Sequence, residues 1–284
     1  MHSAKTLASK TNIVLKAGQI LAFQKTVKNH YRLYGRELPW RNTEDPYKIL
    51  VSEIMLQQTQ VARVIEKYGY FLRAFPDIYA LAGAPLRAVL NVWQGLGYNR
   101  RAMALKQAAQ KVVEHFEQKI PSNVDSLVSL PGIGKATACA ICTFAFNQPT
   151  VFIETNIRTA FIYHFFNHIN KVRDTHIFPL VAQTLDYHNP RVWYYGLMDY
   201  GVAIKKMHGN LNAKSAHHQR QGQFKGSNRQ IRGAILKALV KRERVSEREL
   251  LTDVQFSSKM VLKNIQKLES EGIISKEGDY LLIP

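Results

Sequence analysis

Residues 130–158 read LPGIGKATACAICTFAFNQPTVFIETNIR, and this stretch decides how the rest of the chain is interpreted. It begins with a Leu-Pro-Gly-Ile-Gly string that contains Gly132 and Gly134, and it ends with an acid, Glu154. Glycine allows a positive φ and a close approach of the backbone. A helix that starts after such a turn directs N–H groups at a phosphate, and Lys135 adds charge there. We therefore predict a phosphate-binding turn between two helices; the alternative is an ordinary tight turn.

Composition narrows the class of protein. The chain has 284 residues, 46% of them hydrophobic, and a formal net charge of +18. This hydrophobic content suits a globular core, and the charge favours nucleic acid as a partner. Its two cysteines cannot form a disulfide framework and fall in a helix-like run, where small core residues are expected. No apolar run approaches the roughly 20 residues of a membrane span. We expect an intracellular protein, cytoplasmic and nucleoid-associated if the source is prokaryotic.

Short helices dominate the first 207 residues. The spacing of apolar residues predicts a helix over residues 12–34. Asp45-Pro46 is a strong helix start, and that helix is predicted to run to about Tyr70. Strand signals are nearly absent before residue 270, which predicts an all-α fold for this part. The other predicted helices cover residues 76–82, 85–92, 101–118, 121–130, 135–146, 156–166 and 192–204.

The composition changes after residue 205. Residues 205–244 hold 11 Lys or Arg and one Glu. Few apolar residues occur in residues 208–227, which we predict to be a basic linker or extended arm. The remaining residues, 228–284, predict three helices and a terminal hairpin of residues 272–274 and 280–283, a small α+β winged-helix domain. Ser246 and Glu249 form a capping-box pattern at the second of these helices.

The third of these helices, predicted over residues 258–271, carries several polar side chains suited to a DNA groove. An alternative is that this domain binds another protein. The candidate groove contacts are Lys259, Lys263, Asn264, Gln266 and Lys267.

A second motif, VSEIMLQQTQV, lies at residues 51–61. Glu53 flanks the apolar face of a predicted helix, with no basic residue three or four positions away. Apolar surroundings disfavour the charged form of a carboxyl group and so raise its pKa. A general acid that works near neutral pH requires such a raised pKa. An exposed helix glutamate is the alternative. The polar run Gln57–Gln60 favours the first interpretation, because such residues suit base edges and insertion into a base stack.

Four strings in this order, VSEIMLQQTQV, WQGLGYNR, LPGIGKAT and IETN, resemble the helix-hairpin-helix DNA glycosylase superfamily. The adenine glycosylase (MutY-like) branch is the most similar, and the resemblance covers about residues 35–205. It implies a two-lobed helical fold and a base-excision repair enzyme. It also implies that the target base is flipped out of the duplex.

Roles for individual residues follow from this resemblance. Glu53 matches the acid that protonates adenine and helps to activate water. Glu154 stands where the family has an aspartate that stabilises the cationic sugar, and Asn156 matches an asparagine beside it. Gln58 matches the wedge. Including the turn and the polar run, the predicted DNA contacts of this domain are Leu56, Gln57, Gln58, Thr59, Tyr98, Gly132, Gly134, Lys135 and Thr137.

The chain departs from the family at four places. Glu154 is one methylene longer than the aspartate. Ala136 stands where relatives with lyase activity have a lysine, which implies a monofunctional enzyme. The four-cysteine loop is missing after Tyr200-Gly201, so we expect no [4Fe–4S] cluster and no metal site, while a monovalent cation at the hairpin stays open. A winged helix stands in place of the Nudix-like domain, so the preferred opposite base is open.

The sequence therefore predicts a monomeric glycosylase that acts on double-stranded DNA with a mispair or lesion. It would release adenine paired with 8-oxoguanine or guanine. The alternatives are a glycosylase for mismatched thymine or a damaged pyrimidine, and a non-enzymatic protein that binds DNA structures.

Overall fold

The computed structural model describes residues 13–219 and 222–284. They form two compact units, one of residues 13–38 and 138–219 and the other of residues 39–137 and 222–284. The helices are, in chain order, α1 Ala17–Tyr34, α2 Pro46–Leu56, α3 Val61–Ala74, α4 Ile78–Gly83, α5 Leu86–Trp93, α6 Arg100–His115, α7 Val124–Val128, α8 Lys135–Phe146, α9 Thr155–Phe165, α10 Asp174–Thr184, α11 Pro190–His208, α12 Asn228–Lys241, α13 Glu247–Asp253 and α14 Ser258–Ser270. The predicted fold class, all-α with a small C-terminal α+β part, is confirmed.

The predicted helix from Pro46 to Tyr70 is wrong in one respect, because it is two helices. Asp45 caps α2 as predicted, and its carboxylate accepts hydrogen bonds from the N–H groups of Tyr47 and Lys48. The helix then ends at Leu56, and α3 begins at Val61. Between them Gln58 adopts a φ of 55°, which no α-helix contains. The break therefore falls on the polar run and turns it into an exposed loop.

The larger unit has a helical core. Trp93, Phe71 and Leu81 are fully buried at its centre. The inner face of α2 contributes Leu50, Ile54 and Met55, each no more than 1% exposed. Packing of this face against the core positions α2, and Glu53 lies beside this face on the same helix.

The C-terminal part of this unit is a winged helix. Helices α12, α13 and α14 precede a hairpin of β2 (Ser275–Glu277) and β3 (Tyr280–Leu282), and β1 (Val245–Ser246) pairs with β3. All strand pairs are antiparallel. The predicted capping box of Ser246 and Glu249 is present. The first hairpin strand lies three residues later than predicted, because Ile273 and Ile274 are buried before the strand begins.

Helix α12 packs against α5 in the same unit. The Arg87 side chain donates through Nε and Nη2 to the carbonyl oxygen of Val240 at 3.1 and 3.0 Å. This carbonyl lies in the last turn of α12, where backbone oxygens lack helical partners and attract a cation. The winged helix is thereby attached to the helices that carry the LQQTQ and WQGLGY motifs.

The smaller unit packs α9 against α11 and α1 against α11. Aromatic side chains form its centre: the ring of Phe23 lies 5.2 Å from that of Phe161 and 6.0 Å from that of Trp193. Gly201 of α11 allows the closest approach, because a Cβ there would lie 2.1 Å from the Asn156 carbonyl oxygen. This packing fixes the start of α9, where the predicted catalytic residues Glu154 and Asn156 lie.

The first part of the predicted basic linker is packed rather than extended. Residues Leu211–Lys214 form a 3-10 helix, and Asn212 and Ser215 are buried. Val172 and Ser215 form a β-bridge. The division of the chain at residues 207/208 and 227/228 stays a prediction. In residues 13–219 and 222–284, no helix has the length and apolar character needed to cross a membrane.

Candidate active site

Glu53 lies on α2 beside the buried face, as predicted. It is half-buried, while its neighbours Ser52 and Ile54 are each 1% exposed. The loop that follows the helix begins four positions later, at Gln57. Its carboxyl group is therefore placed between an apolar core and a polar exposed surface, a suitable position for a general acid.

The Gln57 side chain connects the polar loop to the glycine turn. Its Nε2 atom lies 3.3 Å from the carbonyl oxygen of Gly132 and 3.3 Å from Oγ1 of Thr137, and donates to both. Gln57, Gly132 and Thr137 were predicted separately as DNA contacts, and the structure brings them together. The two motifs form one continuous surface in the larger unit.

Gln58 and Tyr98, the predicted wedge and another predicted DNA contact, share an unusual backbone conformation. Their φ angles are 55° and 49°, in the left-handed region that non-glycine residues rarely adopt. Such residues cost about 1–3 kcal/mol and cluster at functional sites. Gln58 is exposed and Tyr98 half-buried. The strain thus falls on two residues that the motifs had already marked.

Arg101 holds this region together, and the sequence analysis missed it. Its Nη1 atom donates to the carbonyl oxygens of Ile54, Met55 and Gln57 at 2.8, 2.9 and 2.5 Å. Its Nη2 atom donates to Thr59 Oγ1 at 2.9 Å. The same atom reaches the carbonyl oxygens of Leu96 and Gly97 in the WQGLGY turn at 3.3 and 3.0 Å.

Burial lowers the pKa of Arg101 to about 10, so the guanidinium is still charged at neutral pH. Its position directly after the WQGLGYNR string was the available signal. Among the other predicted contacts, Leu56 is half-buried at the end of α2. Thr59 is oriented by its bond to Arg101.

The two glycines of the turn have different structural roles. Gly132 has a φ of 77°, and a Cβ there would lie 2.8 Å from Ala104 Cβ. Gly134 has no atom within 4 Å of such a Cβ and no positive φ. The fold therefore requires Gly132, whereas Gly134 leaves open space in front of α8. The exposed Lys135 and Ala136 begin that helix, whose first N–H groups point toward this space.

Glu154 caps α9 in the smaller unit. Its Oε1 atom accepts hydrogen bonds from the backbone N–H groups of Asn156 and Ile157 at 2.7 and 2.8 Å, and Oε2 accepts one from Asn156 Nδ2 at 3.2 Å. N-caps are normally shorter side chains such as aspartate. Glu154 makes the same bonds, so the extra methylene does not prevent the carboxylate from reaching the helix start.

The surroundings of the Glu154 carboxyl group have opposing effects on its pKa. Burial raises the pKa of Glu154, and the hydrogen bonds from Asn156 and Ile157 and the charge of Arg158 oppose the rise. The helix dipole also favours the ionised form at an N-terminus. Asn156 is therefore a hydrogen-bond partner of Glu154, and the resemblance had implied an asparagine beside this acid.

A buried asparagine supports the same turn from the other side. Asn212 Nδ2 donates to the Thr155 carbonyl oxygen at 2.9 Å and to Thr159 Oγ1 at 2.7 Å. It belongs to the 3-10 helix that follows α11, in the segment predicted to be a linker. Sequence reasoning had no signal for it, since a lone asparagine among polar residues predicts nothing about burial.

On α14, Lys259 and Lys263 are exposed one helical turn apart. Gln266 and Lys267 are exposed as well. The inclusion of Asn264 among the groove contacts was wrong, because it is 3% exposed and its Nδ2 donates to Asn228 Oδ1 and to the Met260 carbonyl oxygen. The exposed face of α14 thus carries three of the predicted lysines without the asparagine.

A protein family matches the part of the chain that holds both motifs. Residues 51–177 match the family described as "HhH-GPD superfamily base excision DNA repair protein". This part of the chain, residues 51–177, is similar to the helix-hairpin-helix glycosylase superfamily. Within that superfamily, the chain is similar to curated proteins of the adenine glycosylase branch.

Three of these relatives are adenine DNA glycosylases. The protein of Buchnera aphidicola subsp. Baizongia pistaciae is 37% identical over 186 residues, which is 65% of this chain and 53% of that protein. The Mycobacterium tuberculosis protein is 40% identical over 129 residues, 45% of this chain and 42% of that protein. The human protein is 37% identical over 158 residues, 52% of this chain and 29% of that protein. The chain therefore spans about half the length, or less, of these relatives.

Solved structures share the helical fold. A thermostable thymine-DNA glycosylase superposes with a TM-score of 0.58 and 25% identity, over 65% of this chain and 86% of that one. An endonuclease III in a non-covalent complex with DNA superposes with a TM-score of 0.55 and 14% identity, over 66% of this chain and 86% of that one. The second likeness concerns the fold alone.

Proposed function

We propose that this protein is a monofunctional DNA N-glycosylase that removes adenine mispaired with 8-oxoguanine or guanine. The observation that carries the proposal is the surface joined by Gln57, where the polar loop and the glycine turn meet through bonds to Gly132 and Thr137. Glu53 lies one helical turn before this surface. We propose adenine as the released base because the similar curated proteins are named adenine DNA glycosylases.

In the proposed reaction, the glycine turn and the start of α8 bind the DNA backbone, and Gln58 enters the stack as the target base leaves it. Glu53 donates a proton to the departing adenine. The N-glycosidic bond breaks with its electron pair going to the base, and the ionised Glu154 stabilises the cationic sugar. Water then adds to the sugar carbon and loses its proton to the Glu53 carboxylate.

Hydrolysis without strand cleavage follows from the residue at the start of α8. A lyase would require an amine there to form a Schiff base. Ala136 is exposed at this position, and Lys135 projects about 100° away around the helix. We therefore infer that the product is an intact strand with an abasic site.

We also infer that the domain works without an iron–sulfur cluster. The chain's two cysteines are buried three residues apart in α8, and burial raises the pKa of Cys142 to about 11, which disfavours the thiolate that a cluster binds. The segment after α11 contributes Asn212 to the start of α9. Iron analysis of the purified protein, with its visible absorbance, tests this inference.

We propose double-stranded DNA with a mispair as the partner of a monomer that acts inside the cell. Lys259 and Lys263 would add backbone contacts from α14. Several phosphate contacts would make binding fall steeply with salt, with a slope of about −0.9 for each phosphate neutralised.

The decisive experiment uses Glu53→Gln on duplexes that contain A:8-oxoguanine or A:G. The variant should lose adenine release by at least about a hundredfold, because general acid catalysis contributes roughly 10²–10⁴-fold. Its affinity for the duplex should not change. Glu66→Gln is the matched control, since Glu66 is an exposed helix glutamate in the same unit. Full activity of Glu53→Gln would refute the assigned role.

Mismatched thymine is the second candidate substrate, since the thymine-DNA glycosylase superposes over 65% of the chain. Duplexes with A:8-oxoguanine, A:G, T:G and a damaged pyrimidine should be incubated with the protein and treated with alkali, which cleaves abasic sites. If only the T:G duplex gives cleaved product, the released base is thymine and not adenine. Binding without base loss on every duplex would favour the non-enzymatic alternative.

A further inference from the structure

A cleft of about 720 Å³ separates the polar loop from the start of the winged helix, within the larger unit. Gln58, Gln94 and Tyr98 line one side. The other side belongs to the C-terminal part of the chain, with Phe224, Arg229 and Lys237. The volume falls within the range of about 300–1,000 Å³ that is typical of small-ligand sites.

Arg229 lines this cleft and reaches Tyr98 on its other side. Its Nη1 atom donates to the Tyr98 hydroxyl at 3.2 Å and its Nη2 atom to the Gly222 carbonyl oxygen at 2.6 Å. The guanidinium carbon lies 5.7 Å from the centre of the Tyr98 ring and 5.9 Å from that of the Phe224 ring. A guanidinium has five N–H donors in a planar fork. Those hydrogen bonds orient the fork while leaving donors for a ligand.

Phe224 is an exposed aromatic residue on an ordered turn. The side chain is 61% exposed. Its carbonyl oxygen accepts hydrogen bonds from the N–H and the hydroxyl of Ser227 at 3.1 and 2.7 Å. Ser227 is also the N-cap of α12. A large apolar ring fixed at the edge of a polar cleft suits a flat ligand that stacks on it.

The chemistry of the lining matches a nucleobase. Aromatic faces stack on any base, amides of glutamine pair with base edges, and arginine donates to the O6 acceptor that guanine and 8-oxoguanine share. Lys237 is exposed on the same face of α12 and supplies a positive charge for a neighbouring phosphate.

We propose that this cleft binds the base opposite the target, with Phe224 as stacking platform and Arg229 as the residue that selects a guanine-type base. The inference rests on the proposed function and deepens it, since the C-terminal part then sets which mispair is accepted. Tertiary packing supports it: Arg87 binds the last turn of α12 and so fixes the helix that carries Arg229 and Lys237.

The test measures binding, so that it does not depend on base release. Duplexes carry a stable abasic-site analogue opposite 8-oxoguanine, guanine, cytosine or thymine, and fluorescence anisotropy gives each Kd. The unaltered protein should bind the guanine-type duplexes about tenfold or more tightly than the pyrimidine ones, since one good base contact contributes roughly 1–3 kcal/mol of discrimination. Arg229→Met and Phe224→Leu should reduce this ratio to below about threefold.

The controls separate selection from folding and from charge. Lys241→Met removes an exposed charge from the end of α12, away from the lining residues, and should leave the ratio unchanged. Thermal unfolding should show that both cleft variants are folded. An unchanged ratio in both variants, or no discrimination by the unaltered protein, would overturn the inference. If both cleft variants lose the discrimination between duplexes but the unaltered protein releases no adenine, the cleft binds the opposite base and the proposed function is refuted.

Discussion

Gln57 Nε2 donates a hydrogen bond to the carbonyl oxygen of Gly132 over 3.3 Å, although 75 residues separate the two in sequence. This bond joins the polar loop and the glycine turn into one surface, although each of the two forms from its own local sequence.

Gln58 should show opposite effects on stability and on base release. Replacing it with glycine removes the strain of a φ of 55°, so the free energy of unfolding should rise by about 1 kcal/mol. The same change removes the proposed wedge, so adenine release should fall at least about tenfold. Urea unfolding and single-turnover kinetics measure the two effects. Gln60→Gly is the control, because Gln60 has an ordinary φ of −66°.

The two glycines of the hairpin should respond differently to alanine. Gly134→Ala should leave the thermal midpoint nearly unchanged, since open space surrounds its Cβ, but should weaken duplex binding by hindering the approach of a phosphate. Gly132→Ala should destabilise the protein by more than about 1 kcal/mol, because the Cβ meets Ala104 and the φ is positive. Equal loss of stability in both variants would contradict this division of roles.

Arg101 should be a positioning residue for the polar loop. Arg101→Met leaves several backbone oxygens at the end of α2 without their donor, so the free energy of unfolding should fall by about 2–4 kcal/mol. Arg101→Lys should restore little of the lost free energy of unfolding, because an ammonium group has three donors and no planar fork.

The matched control for Arg101 is Arg248→Met on the exposed face of α13. Hydrogen exchange of residues 57–60 gives a second measurement. Faster exchange in the folded Arg101→Lys variant would support positioning, and unchanged exchange there would argue for a purely structural role.

Glu154 should make stability depend on pH. Burial raises its pKa in the folded chain, so the protonated form is favoured by folding. This contribution is fully present below the unfolded pKa of about 4.3 and is lost as the pH rises through the folded pKa. Glu154→Gln stays neutral, so its stability should fall less over that range. Urea unfolding at a series of pH values from about 4 to 8 measures the difference.

The same residue predicts the pH profile of base release. An ionised carboxylate is needed to stabilise the cationic sugar, so activity should increase as the pH rises through the folded pKa of Glu154. Release by Glu154→Gln should be slow and should lack this ascending limb. A variant with an unchanged profile would show that another group causes it.

Local chemistry explains why much of the fold was predictable. Asp45-Pro46 begins a helix because the aspartate accepts from two N–H groups, and Ser246 with Glu249 does the same at α13. The break at Gln58 was missed because the apolar spacing continues across it into α3, while the backbone leaves the helical conformation at Gln57, Gln58 and Gln60. Asn264 was misjudged because its burial depends on Asn228, which lies 36 residues away.

By itself, the sequence determined the helical class, the glycine turn, the capped helix starts and the residues that resemble a glycosylase site, since these depend on neighbours within a few positions. Only the tertiary structure decided which side chains meet. Gln57 reaches the hairpin, Arg101 reaches both motif loops, and Arg229 reaches Tyr98 across 131 residues of sequence. Spacing along the chain cannot specify such contacts, because they arise when buried helix faces pack and bring distant loops together.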